Sequence, residues 1–198
     1  GVNYSLYFYV FRGNVSRLWK SGEFRFYLAV ALIATIIIAL NIWKSSYDSL
    51  ADSIRYAFFQ VTSIMTTTGY ATTDFEKWSS FSQVILVVLM FFGGMIGSTG
   101  GGIKQVRILL MFKQGYREIY QLIHPRAVTS LKLDDKILTK EILGSIWGFV
   151  FLFIFVCAIA TIGMAATGMD IITSASTVIS AMCNVGPALG DAGPSENY

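Results

Sequence analysis

GGMIGSTGGGIK, residues 93–104, places six glycines in twelve positions at the end of a charge-free run covering residues 78–103. Glycine lowers helix stability by roughly 1 kcal/mol per residue relative to alanine, so this stretch interrupts what is otherwise one long apolar helix. A broken backbone at membrane depth is tolerated only where protein buries it or where it lines a water-filled cavity. The sequence therefore predicts a pore or a binding site beside residues 93–104.

The surrounding composition supports a membrane setting. Of 198 residues, 54% are hydrophobic and 14% charged, which is the balance of a membrane protein. The opening GVNYSLYFYVFRGNVSRLWK lacks the basic, apolar, small-residue order of a secretory leader. The chain does not begin with Met, and a piece of a larger protein is expected. Cys157 and Cys183 sit in apolar stretches without metal-ligand spacing and read as buried thiols. Enzyme chemistry is disfavoured: Ser98 has no base near it, because the single histidine, His124, lies beyond the membrane segment. GSTGGGIK also fails the phosphate-loop pattern, since Ile103 separates Gly102 from Lys104 and Gln105 follows. Gly93 and Gly97 have the spacing of a close helix crossing, but six glycines exceed what one crossing needs.

Moving outward, residues 26–43 carry no charge and at about 1.5 Å each reach roughly 27 Å, enough to cross a hydrocarbon core. Arg25 and Lys44 bracket them, with Trp43 at the interface. Residues 1–20 read as the end of a preceding helix and a surface linker. Residues 56–73 are uncharged but turn polar in TTTGYATT, which suits a re-entrant helix and a returning loop; a membrane-surface helix with a threonine-rich loop is the alternative. A second span enters the glycine run and resumes after it, and residues 142–169 make a third charge-free run.

An internal repeat organises these pieces. Setting Gly69 on Gly186 also pairs Val61 with Val178, Ser63 with Ser180, Met65 with Met182, Ala71 with Ala188 and Asp74 with Asp191. The unit is span, re-entrant helix, glycine loop, span. The expected fold is all-α and integral to the membrane, with span, pore-helix, span repeats of the potassium-channel-like type and a broken, glycine-rich second span. One complete unit occupies residues 21–123: first span near 24–43, pore helix near 50–65, filter 66–70, and broken second span near 78–120 with its loop at 93–104. A connecting segment covers 124–140. A second unit covers 141–198, with a span near 142–168, a pore helix near 171–183 and a filter at 184–188, and lacks its final span.

Charge sets the orientation. Twelve of fifteen Lys and Arg residues lie in two groups. One is Arg12, Arg17, Lys20 and Arg25; the other is Lys104, Arg107, Lys113, Arg117, Arg126, Lys132, Lys136 and Lys140. Both are cytoplasmic by the positive-inside rule. The glycine loops then open to the outside, where Asp48, Asp52, Asp74, Glu76, Asp170, Asp191 and Glu196 raise the local cation concentration. A short helix aimed with its C-terminus at the membrane centre presents the negative end of its dipole to a cation. Thr67, Thr68 and Gly69, with Asn184, Val185 and Gly186, are expected to offer backbone carbonyls in place of an ion's water shell.

These residues resemble the Trk/Ktr/HKT superfamily of potassium-uptake proteins, in particular its bacterial TrkH/KtrB-like membrane subunits. The resemblance rests on TTTGYAT (66–72), GGMIGSTGGGIKQVR (93–107), HPRAV (124–128) and NVGPALG (184–190), and it covers essentially the whole chain. It implies four span, pore-helix, span units in one polypeptide, of which this chain supplies the third complete and the fourth without its last span. Residues 1–20 would close the second unit.

The resemblance further implies potassium uptake across the bacterial cytoplasmic (inner) membrane, in ion-channel-like or symport fashion. The filter residues would hold K+, and Gly93, Gly94, Gly97, Ser98, Thr99, Gly100, Gly101 and Gly102 would form an intramembrane gate loop. A basic residue on the absent final span would brace that loop. The implied partners are a second copy in a homodimer, a cytosolic nucleotide-binding regulatory subunit of the TrkA/KtrA kind, and membrane lipids; no nucleic acid and no organic cofactor are implied. The alternatives are a sodium-coupled or sodium-permeable transporter of the same family, and a secondary carrier with discontinuous helices. A carrier would place its ion at the glycine break, a filter at Gly69 and Gly186.

Overall fold

A computed structural model describes residues 1–125, 127, 130–133 and 136–194. Arg126, Val128 and Glu196, and with them residues 195–198 of the second unit, lie outside the described residues. The chain is mostly helical. Two short helices, α1 (Tyr4–Phe11) and α2 (Ser16–Lys20), precede α3 (Gly22–Ile42). Next come α4 (Leu50–Met65), α5 (Ser80–Phe92) and α6 (Gln105–Ile123), then α7 (Lys140–Ala165) and α8 (Ile171–Cys183). The strictly all-α expectation needs one correction. The segment between α6 and α7 folds back as an antiparallel pair, β1 (Lys132–Leu133) on β2 (Lys136–Ile137). The Leu138 N–H extends the pairing by donating to the Leu131 carbonyl at 2.9 Å, so residues 131–133 and 136–138 pair with each other locally.

Helix boundaries follow local chemistry. The Ser21 hydroxyl accepts from Phe24 N–H at 3.3 Å and starts α3, and the Asp170 carboxylate accepts from Ile172 N–H at 2.9 Å to start α8. Both are N-caps that satisfy otherwise orphaned donors. The α3 and α7 helices are long and apolar enough to cross a membrane, with mean hydropathies of 2.1 and 2.6. In α7 only 17% of the apolar window is buried, and Phe151, Ile154, Phe155 and Ile162 stand exposed. A face this apolar marks contact with lipid or further protein.

The core forms where α4 lies between α3 and α5, and α8 between α5 and α7. On α4, Ser53, Ala57, Gln60 and Ile64 are buried at helical spacing, so one stripe of the helix faces its neighbours. Ile38 and Ile42 from α3, Val61 and Met65 from α4, Leu86 and Met90 from α5, and Cys183 from α8 share this cluster. Both cysteines are buried free thiols.

Phe75, in the short 3-10 helix Phe75–Lys77 that follows the turn at Gly69, is fully buried in the same cluster. Phe75→Ala should lower stability by about 3–5 kcal/mol, the usual cost of deleting a core aromatic. Thermal unfolding in detergent measures this, and an unchanged melting temperature would remove Phe75 from the core.

Candidate functional site

The two short helices α4 and α8 end in the same way. At the end of α4, Thr67 takes a left-handed conformation with φ 55°; at the end of α8, Asn184 takes one with φ 54°. A glycine of positive φ follows two residues later in each, Gly69 at 78° and Gly186 at 112°. The backbone hydrogen bonds also correspond. Thr67 N–H donates to the Ile64 carbonyl at 3.0 Å and Asn184 N–H to the Ala181 carbonyl at 3.1 Å. Thr68 N–H reaches the Ser63 carbonyl, and Val185 N–H the Ser180 carbonyl, both at 2.9 Å. These turns consume donors at the helix end, in the manner of left-handed caps.

Serine side chains then hold the returning segments. The Ser63 hydroxyl donates to the Tyr70 carbonyl at 2.6 Å, and the Ser180 hydroxyl accepts from Gly186 N–H at 3.0 Å. Farther back on α8, the Ser176 hydroxyl bonds both the N–H and the carbonyl of Leu189 at 3.0 and 3.2 Å. Ser63 and Ser180 were visible in the sequence only as matching letters; their role as braces needed the loop positions.

The two turns meet. A methyl group at Gly69 would collide with the Val185 carbonyl oxygen, whereas at Gly186 the nearest atom, Gly69 Cα, stands 4.0 Å away. Thr68 and Asn184 are exposed, Thr67 and Gly69 half-buried and Val185 buried. All six expected filter residues are therefore gathered at one place.

Residues 93–104 separate α5 from α6 and carry positive φ at Gly93, Gly97, Gly102 and Lys104. Gly93, Gly94 and Gly100 are buried, Gly97 and Thr99 exposed, and Ser98, Gly101 and Gly102 half-buried. The loop folds on itself: substituents at Gly93 and Gly94 would strike the Gly101 carbonyl and the Ser98 hydroxyl. Ile103 N–H returns to the Phe91 carbonyl at 3.0 Å, and the fully buried Gln105 amide donates to the Gly93 carbonyl at 3.1 Å. The Lys104 ammonium turns inward to the Ser98 carbonyl at 3.2 Å and to the Gly100 carbonyl. Thus a residue assigned by charge to the cytoplasmic side also fastens the loop.

The loop and the first turn are joined directly. Gly101 N–H donates to the Thr67 hydroxyl at 2.9 Å, and a side chain at Gly101 would collide with the Cys183 carbonyl. On its other flank, Ile96 N–H donates to the Glu23 carboxylate at 2.8 Å. Glu23 was not singled out in the sequence, where its only signal is being one acid among Arg17, Lys20 and Arg25. Among the described residues no group of His, Cys, Asp and Glu is arranged to hold a metal ion.

A mostly helical chain with membrane-length apolar helices and two helix ends meeting beside a broken helix has the architecture of a membrane transport protein, not of an enzyme. The family model for TrkH, described as a cation transport protein, matches residues 5–197, and the chain belongs to that family. It is 40% identical over 192 residues to the Trk system potassium uptake protein TrkH of Salmonella typhimurium, covering 96% of this chain and 40% of that protein. It is 36% identical over 189 residues to the Trk system potassium uptake protein TrkG of Escherichia coli, covering 95% and 39%. Among solved structures it is similar to the crystal structure of the potassium transporter TrkH from Vibrio parahaemolyticus. That match has a TM-score of 0.89 and 38% identity, over 96% of this chain and 42% of that one. The chain thus spans about two fifths of the length of these relatives.

Thr67→Val removes the acceptor for Gly101 N–H, while Thr67→Ser retains it. Hydrogen exchange across residues 97–103 should accelerate about tenfold in the valine variant, the equivalent of one ordinary hydrogen bond, and little in the serine variant. Equal exchange in both would show that this bond does not hold the loop.

Proposed function

We propose that this chain is part of a potassium-uptake protein of the bacterial cytoplasmic membrane, contributing a third pore unit and the first half of a fourth. The carrying observation is that α4 and α8 end in corresponding turns, Thr67-Thr68-Gly69 and Asn184-Val185-Gly186, whose glycines lie against each other. Two helix C-termini with their unpaired carbonyls and dipoles directed at one place favour a cation there. The positive φ of Gly69 and Gly186 allows successive carbonyls to turn toward an ion without steric cost. Two turns make half of a four-fold ring, so the remaining turns come from the rest of the polypeptide.

In this reading residues 93–104 are the gate. Their contact with Thr67 and Cys183 supports a position against the inner end of the filter. The names of the relatives, potassium uptake proteins and a potassium transporter, support potassium as the transported ion. Selection over sodium would then come from carbonyl coordination at the paired turns. A homodimer and a nucleotide-binding regulatory subunit acting on the cytoplasmic segment after α6 complete the proposal, with anionic lipid as a second partner for its basic residues.

The test uses the full-length protein in ion-competition flux assays. Gly69→Ser and Gly186→Ser should both reduce the preference for potassium over sodium. Gly69→Ser should be the more damaging, because its side chain meets the Val185 carbonyl while that of Gly186 meets open space at a strained φ. Unchanged ion preference in both variants would defeat the filter assignment. Deleting residues 97–101 should give a leakier pore of similar selectivity; a correctly folded but inactive protein would contradict a purely gating role.

A further inference from the structure

The glycine loop is held from two sides by different parts of the chain. Its later half is tied to the proposed filter through the Thr67 hydroxyl and Gly101 N–H. Its earlier half is tied to the segment before the first span and to the first turn of that span, α3. Met95 N–H donates to the Gly1 carbonyl at 2.8 Å, Tyr4 N–H to the Gly97 carbonyl at 3.1 Å, and Ile96 N–H to the Glu23 carboxylate at 2.8 Å. Of these ties only the one through Glu23 comes from a charged side chain, and that residue is 8% exposed.

A glutamate in the first turn of a helix gains from the helix dipole without being buried. Burying its carboxylate adds a desolvation cost that needs compensation by a well-aligned donor or an opposite charge. The loop supplies the donor, because Ile96 N–H makes the direct bond to the carboxylate, and the Lys104 ammonium is folded into the same loop through the Ser98 and Gly100 carbonyls. Glu23 is thus matched to this position of the loop, and the Ile96 bond is lost when the loop moves away. It also follows immediately on Ser21 and Gly22, the junction between α2 and α3, so a shift of the basic linker relative to α3 acts on the carboxylate within a few residues.

Resting on the gate assignment above, we propose that Glu23 is a positioning residue that latches residues 95–97 to the start of α3 and couples the linker before that helix to the gate. Breaking the latch frees the loop while leaving the filter turns intact. Flux in the resting state should then rise without a change in ion preference.

The experiment compares Glu23→Ala, Glu23→Gln and a deletion of residues 97–101 in the full-length protein, reconstituted in liposomes with no regulatory subunit. Glu23→Ala should raise resting potassium flux about tenfold, the effect of one charge-assisted hydrogen bond on a two-state equilibrium. Glu23→Gln keeps an acceptor but no charge and should raise it less; the potassium-to-sodium ratio should remain that of the parent in both. Unchanged or lower flux, in variants with the parent's melting temperature, overturns the latch. If Glu23→Ala fails to fold, Glu23→Gln decides alone, a rise supporting the latch and no rise overturning it. A deletion that leaks beside a silent Glu23→Ala rejects the latch and keeps the gate. A deletion that does not leak rejects both.

Discussion

The backbone of residues 93–104, buried at Gly93, Gly94 and Gly100, must find partners for its N–H and C=O groups, and the rest of the site follows from that constraint. Each buried group left unpaired would cost about 1–3 kcal/mol, so a twelve-residue break survives only if its surroundings supply the bonds. Gln105 takes the Gly93 carbonyl, Lys104 the Ser98 and Gly100 carbonyls, Thr67 the Gly101 N–H and Glu23 the Ile96 N–H. These partners come from the loop's own end, the end of α4 and the start of α3. Fastening the break therefore also connects the starts of α3 and α6 with the turn after α4.

The paired ends of α4 and α8 answer a related demand. A helix that stops within a packed interior leaves its last carbonyls unpaired. Here left-handed residues turn the chain back while serines on the helix itself hold the returning strand. Close approach of the turns forbids a side chain at Gly69, and close approach of the glycine loop forbids one at Gly101. Glycine at both positions is thus a requirement of backbone contact, and at Gly69 of a positive φ as well. In the proposed pore, the same packing that brings carbonyls together for an ion sets the gate loop against them.

Much of the fold was legible because it rests on periodicity and punctuation. Charge-free runs of membrane length and a glycine-rich interruption are properties of contiguous sequence, and the Gly69 to Gly186 match needed only a fixed offset. Glycine count alone would have misled: α7 contains Gly144, Gly148 and Gly163 and remains one helix, since isolated glycines weaken a helix without ending it. The fastenings were not legible. Glu23 and residues 95–97 are remote in sequence and meet only after α3 and α5 pack, and Lys104 looked like a topology charge because its ammonium direction depends on the loop's shape. The short β1–β2 pairing was missed because its two-residue strands carry no alternation to detect.

In the proposed pore the transported ion is held by the paired turns and not by the glycine break. The direct measurement is a structure of the full-length protein with rubidium replacing potassium, read by anomalous scattering. The expected result is a peak on the pore axis level with Gly69 and Gly186, ringed by backbone carbonyls and lost when sodium is substituted. A peak within residues 93–104, with none at the turns, would contradict it and favour a carrier whose site is the broken helix.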